Sequence, residues 1–157
     1  MEFVCCREYA KNAIDGPMRI AVGAKVVSES NVLVCGGKRI CFATSQNCYD
    51  HFARNDDGQG KKRFSLTHGI LRDVAEIKIE YEDAVAEVLS KDVPADEKRE
   101  AIAKIDDKPT RFFSAVYEDP VFSKYLTNGA WNLMFYYAGI DQLERLRSLM
   151  AKVIAGA

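Results

Sequence analysis

The hydrophobic rhythm of the chain changes near residue 64. Before that point apolar residues come in short runs, RIAV, KVVSES, NVLVC and KRICFA, rich in Val and Ile and parted by glycine-bearing turns, which is the pattern of β-strands. After it they recur every three or four residues, the period of a helix that buries one face. In the first part, residues 31–43 are expected to form a hairpin closing through Gly36-Gly37, because glycine takes the positive φ that tight hairpin turns demand. Ser45 then caps a helix over residues 46–54, and NDDGQGKKR reads as an exposed loop. Ahead of the strands, residues 3–14 (FVCCREYAKNAI) read as a short helix with Val4, Cys5, Tyr9 and Ile14 on one side, ended by Asp15-Gly16-Pro17.

The second part reads as helix to its end. Ser65 or Thr67 precedes a long helix over residues 67–91, whose apolar positions are Ile70, Val74, Ile77, Tyr81, Val85 and Val88. Glu76, Glu80, Asp83 and Glu87 line its other side; with no Glu-x-x-His beside them they read as a solvated face rather than a carboxylate metal cluster. Val93-Pro94 ends this helix and Pro94 starts the next, with Ile102 and Ile105 inward. Further helices are expected over 110–118, shortly after Pro120, over 130–138, and from Asp141, where Glu144 completes a capping-box variant. The fold class is therefore α+β: an N-terminal hairpin or meander with short helices, packed on a C-terminal helical bundle. With 157 residues the expected organisation is one domain, residues 1–64 forming a β-rich subdomain and 65–157 a helical one.

Charge changes this picture only locally. A net charge of −1 exerts no global pull toward nucleic acid or acidic membranes, but residues 1–64 carry ten Lys/Arg against seven Asp/Glu, and residues 65–157 twelve against sixteen. No apolar run approaches the roughly 20 residues that span a bilayer. MEFVCCREYA turns charged too early for a signal peptide, so a cytoplasmic location and no membrane partner are expected.

All five cysteines, Cys5, Cys6, Cys35, Cys41 and Cys48, fall in the first third, and in a reducing cytosol they should be thiols or metal ligands. Cys35, Cys41, Cys48 and His51 suit a ββα zinc site, since Cys48 and His51 lie three apart on one helix face. Their spacing, C-x5-C-x6-C-x2-H, exceeds the usual knuckle. Strand parity sharpens the matter. A two-residue Gly36-Gly37 loop pairs Cys35 with Lys38 and Cys41 with Val32, on opposite faces, whereas a three-residue loop puts both cysteines on one face. Otherwise the cysteines are small core residues. The stretch resembles short zinc modules in which a hairpin ending in Phe-Cys-Ser precedes a Cys-led helix, but Ala43 stands where that cysteine would fall. Metal-dependent nucleases share the outline, yet this hairpin lacks their histidine base, and Asn47 and His51 supply only the helix part.

Elsewhere the motifs are thin. Cys5-Cys6 is not the C-x-x-C of a redox pair, no glycine run has phosphate-loop spacing, and no G-x-S-x-G is present. A Cys48 and His68 nucleophilic pair is the one enzyme reading, and a hyper-reactive thiol would be its mark. Lys38, Arg39, Lys61, Lys62 and Arg63 form a small basic set that can track a phosphate backbone. Nine of the sixteen aromatics lie between Phe112 and Tyr137. Three in succession, Phe135, Tyr136 and Tyr137, cannot all face one core, which makes Tyr125, Trp131, Tyr136 and Tyr137 candidate anchors for a protein partner. The function expected is a non-enzymatic, cytosolic protein-binding module, of the kind a mobile genetic element carries as a regulator or inhibitor, with no cofactor. The alternative is a zinc-containing module that binds nucleic acid through the basic set.

Overall fold

Two glycines at one hairpin tip set the register of the main sheet. Gly36 and Gly37 have φ of 58° and 78°, the left-handed pair of a two-residue hairpin turn. They join β5 (Val32–Cys35) to β6 (Lys38–Phe42), pairing Cys35 with Lys38 and Val34 with Arg39. The register then slips. Val32 pairs with Phe42 rather than Cys41, so Ile40 and Cys41 together oppose Leu33, which is a β-bulge. Strict alternation would have turned Cys41 outward and Phe42 into the core. The bulge does the reverse, leaving Cys41 5% exposed and Phe42 55% exposed.

This computed structural model describes residues 1–126 and 131–156, and its fold is α+β. The five-stranded antiparallel sheet runs in the order β6, β5, β4 (Lys25–Glu29), β1 (Glu2–Cys5) and β7 (Phe52–Arg54). β2 (Tyr9–Ala13) and β3 (Gly16–Ile20) form a separate two-stranded ribbon. The tip of that ribbon lies against the outer edge of β6, where Ile14 N–H donates to the Ile40 carbonyl at 3.0 Å and Asp15 N–H to that of Arg39 at 3.2 Å. Backbone groups on a sheet edge that would otherwise be open are thereby satisfied.

The helix expected over residues 3–14 is instead these two strands, β1 and β2. Of the apolar positions Val4, Cys5, Tyr9 and Ile14, the first three are buried as expected, while Ile14, at the ribbon tip, is exposed. The buried three reach the core from two strands because β1 pairs with both β4 and β7, and because the Cys5 N–H donates to the Ala24 carbonyl at 2.8 Å while Cys5 accepts from Gly23. Long-range pairing here overrides a local helical spacing.

Ser45 caps α1 (Gln46–His51) as its position predicts, its hydroxyl accepting from the Cys48 N–H at 3.2 Å. The helix ends at residue 51 rather than 54, since Phe52 turns extended and enters β7 against β1. α2 (Gly60–Leu89) starts seven residues before its expected origin. Asn55 Oδ1 accepts the Gly60 N–H at 2.9 Å and starts the helix there, so Lys61, Lys62 and Arg63 occupy its first turn instead of a loop.

By backbone contact the chain falls into two units, residues 1–67 with 125–144, and residues 68–124 with 145–157. In the first, Phe3, Tyr9, Leu33, Ile40, Phe52 and Tyr136 fill the core. α6 (Trp131–Tyr137) belongs to this unit; Ala130, where that helix was expected to begin, lies outside the described residues. In the second unit Ile70, Val74, Ile77, Phe112, Val116 and Met150 are buried, the first three being the periodic positions expected of the long helix. It includes α3 (Ala95–Ala103) and α4 (Lys108–Glu118), the latter capped by Asp107. α5 (Ser123–Leu126) follows Pro120 as expected. The terminal helix α7 (Ile140–Ile154) begins ahead of Asp141, because Gly139 is its cap and Gln142 Oε1 takes the Gly139 N–H at 3.2 Å.

Among the described glycines of the first unit, Gly60 is the tightest. A Cβ there would lie 2.6 Å from Val4 Cγ1, 2.8 Å from Asn55 Oδ1 and 3.1 Å from the Arg54 carbonyl. The Gly60→Ala variant is expected to unfold about 1–3 kcal/mol more easily in urea, despite alanine's better helix propensity. An unchanged or raised midpoint would show that this approach is looser than described.

Candidate functional site

Residues paired across antiparallel strands share a face, and the register therefore defines the outer surface of the sheet. Glu2, Val27, Val34 and Arg39 make one row; Glu29, Val32 and Phe42 make the next. Val27 is 47% exposed, Phe42 is more exposed still, and Val32 and Val34 are half-buried between them. Charges stand at the ends of these rows: Glu2 pairs with Lys25 at 3.8 Å, and Arg39 with Asp15 at 2.7 Å. An apolar centre within a charged rim is the anatomy of a protein-docking patch. Sequence reasoning did not single out Phe42 or Val27. The available signal was that both alternating sets of NVLVC are apolar, so that each face of β5 carries hydrophobic side chains.

Cys35, Cys41, Cys48 and His51, the set of the alternative zinc reading, have different surroundings. Cys41 and Cys48 are both buried in the same core cluster. Cys35 packs at the margin of the same core. His51 is buried with Nδ1 3.2 Å from the Arg7 carbonyl, and its own carbonyl accepts from the Cys6 and Arg7 N–H groups at 2.7 and 3.2 Å. Its ring meets the Tyr9 ring edge-on at 5.1 Å. At the bulge strand alternation breaks: the loop is the two-residue form, yet Cys41 faces inward. Among the described residues, no group of three or more His, Cys, Asp or Glu side chains converges on one point.

The basic set is largely paired within the chain. Arg39 donates to Asp15 through Nε and Nη2, and this draws the Asp15 carboxyl down to about 2. Lys62 meets Glu144 at 2.7 Å. Arg63, buried, binds Asp57 and the Arg54 carbonyl. Lys38 and Lys61 have no carboxylate partner among the described residues. Three of the five cations thus have a resident counter-ion with which a phosphate would compete.

Of the candidate aromatic anchors, Tyr136 is core. Its ring lies 5.5 Å from Phe3 and 5.8 Å from Tyr49, and its hydroxyl, buried without a hydrogen-bond partner among the described residues, is pushed strongly up by that burial. Phe135 is buried as well, and Tyr137, 48% exposed, is the member of the triplet that reaches solvent. Trp131 is half-buried, edge-on to Phe135 at 5.1 Å, and Tyr125 is half-buried too. No described helix is long and apolar enough to cross a membrane. Comparison with protein-family models, with curated proteins and with solved structures finds no match to this chain.

The Arg63–Asp57 pair ties the loop after β7 to the start of α2. Arg63 holds the Asp57 carboxyl near 2, below its ordinary 3.8, helped by the Gln59 N–H. A depressed carboxyl stabilises the fold fully above its unfolded value and loses that contribution as pH falls toward its folded value. With Asp57 partly exposed and screened, Asp57→Asn is expected to cost about 1 kcal/mol near neutral pH. Urea unfolding of both proteins should show this gap narrowing from about pH 4 down to about pH 2. A gap independent of pH would refute the ion pair.

Proposed function

We propose that this chain is a non-enzymatic protein-binding module that works in the cytosol by occupying a partner's surface through the outer face of β4, β5 and β6. The observation that carries this reading is the exposure of Phe42 and Val27 in adjacent rows of one sheet face, with Val32 and Val34 completing the patch. A phenylalanine on a sheet's solvent side loses hydrophobic free energy in the isolated chain and recovers it only when something covers it. The fixed ion pairs at the row ends add a polar rim that favours one orientation of the partner. All five cysteines are free thiols, which suits a reducing compartment.

The test is crosslinking and capture from the lysate of the native host, with Phe42→Asp set against Ile79→Asp, an exposed apolar residue of α2 in the other unit. A central anchor of such a patch carries about 2 kcal/mol, so Phe42→Asp should reduce recovery of the captured protein roughly thirtyfold while Ile79→Asp leaves it unchanged. Equal recovery with both variants would place binding elsewhere. Failure of the wild-type chain to capture any protein would remove the reading altogether.

A further inference from the structure

Lys61, Arg7 and Lys11 are exposed and have no carboxylate partner among the described residues. Contacts of their own chain segments place them in order beside α1. The Arg7 N–H donates to the His51 carbonyl at 3.2 Å, and the Arg7 carbonyl lies 3.2 Å from His51 Nδ1, at the end of that helix. Lys11 Nζ donates to Asn47 Oδ1 at 3.3 Å, one turn earlier. Residues four apart share a helix face, so the points at which Arg7 and Lys11 meet α1 are about 6 Å apart along its axis. On the other side of Arg7, Cys6 Sγ stands 4.0 Å from the Gly60 carbonyl, which brings in the start of α2 and with it Lys61. The Arg7 guanidinium lies over the Phe64 ring, 5.5 Å from its centre.

Lys11 also borders an open groove of about 600 Å³ on the ribbon, lined besides by Ala10, Asn12, Pro17, Met18 and Arg19. Apolar surface, one amide and two cations therefore meet there. The nearest acids are engaged: Glu8 stands 3.6 Å from Arg19, and Asp50 accepts from the Gln46 amide at 2.8 Å. The strip is separate from the Phe42 face, because α1 packs on the inward side of the sheet, its Cys48 in one cluster with Leu33 and Ile40.

We propose that this strip binds single-stranded nucleic acid, with phosphates on Lys61, Arg7 and Lys11 and one unstacked base in the ribbon groove, where Asn12 meets the base edge. Cations at intervals follow a phosphate backbone whatever its sequence. Single-strand sites join such a track to surfaces that take the faces of the bases. A duplex keeps its bases paired and stacked and offers none to the groove. An acidic peptide satisfies the cations but leaves the apolar lining and the Asn12 amide unused. The strip and the docking face are independent, and either can fail without the other.

The experiment is fluorescence anisotropy of a labelled oligothymidylate of about 12 nucleotides titrated with the full chain, from about 20 to about 200 mM salt. Three phosphate contacts predict that log K falls with log salt at a slope of about −2. Lys11→Ala and Arg7→Gln should each bring the slope to about −1.4. Asn12→Ala should weaken binding about fivefold at any one salt and leave the slope as it was. Lys78→Ala, at an exposed position of α2 in the other unit, should alter neither. Three results would overturn the proposal: no binding of the oligonucleotide at low salt, a slope that Lys11→Ala and Arg7→Gln leave at the wild-type value, or tighter binding of a duplex or of polyglutamate of similar length. Preference for polyglutamate would reassign the strip to an acidic protein.

Discussion

Two residues facing one, Ile40 and Cys41 against Leu33, decide what each side of the main sheet displays. Without that bulge the two-residue turn at Gly36-Gly37 would carry strict alternation to the end of β6, burying Phe42 and turning Cys41 to solvent. With it, Ile40 and Cys41 both enter the core and Phe42 stands on the outer face beside Val32. The exposed apolar face and the buried Cys41 are two consequences of one inserted residue. Bulges do this generally: they re-aim a side chain and bend the strand that carries them.

The rest of the first unit braces that arrangement. The ribbon tip holds the edge of β6 through Ile14 and Asp15, and Asp15 also fixes the Arg39 guanidinium at the end of the first row. α1 is held from both ends, by the Ser45 hydroxyl at its start and by His51, whose carbonyl receives the Cys6 and Arg7 N–H groups at its finish. A histidine that looks like a metal ligand in the sequence thus acts as a backbone anchor, its ring against Tyr9 and the Arg7 carbonyl.

What was legible in the sequence follows from how local each determinant is. Gly36-Gly37 announces its hairpin because few other residues accept that φ, and Ser45 announces its helix because the cap bond spans only three residues. Ile70, Val74 and Ile77 mark their helix by period alone. The bulge was invisible because Ile40 and Cys41 are both apolar, so the pattern KRICF fits either register. Residues 3–14 misled for a related reason: Val4, Cys5 and Tyr9 have helical spacing, but partners far along the chain pull them into two strands. Of the candidate site residues, the exposure of Tyr137 conforms to a feature the sequence displays, three aromatics in succession. The burial of Arg63 and the outward turn of Phe42 depend on Asp57 and on a register slip that no window of neighbours reveals.

The register of β5 against β6 is therefore the quantity to measure, and cross-strand proton contacts in an NMR spectrum of the folded chain read it directly. The backbone protons of Val32 should show their cross-strand contacts to Phe42, with the Phe42 ring free of contacts to Leu33 and Ile40. Contacts from Val32 to Cys41 would mean an unbulged hairpin, with Phe42 in the core and Cys41 turned outward, and the proposed docking face would go with it.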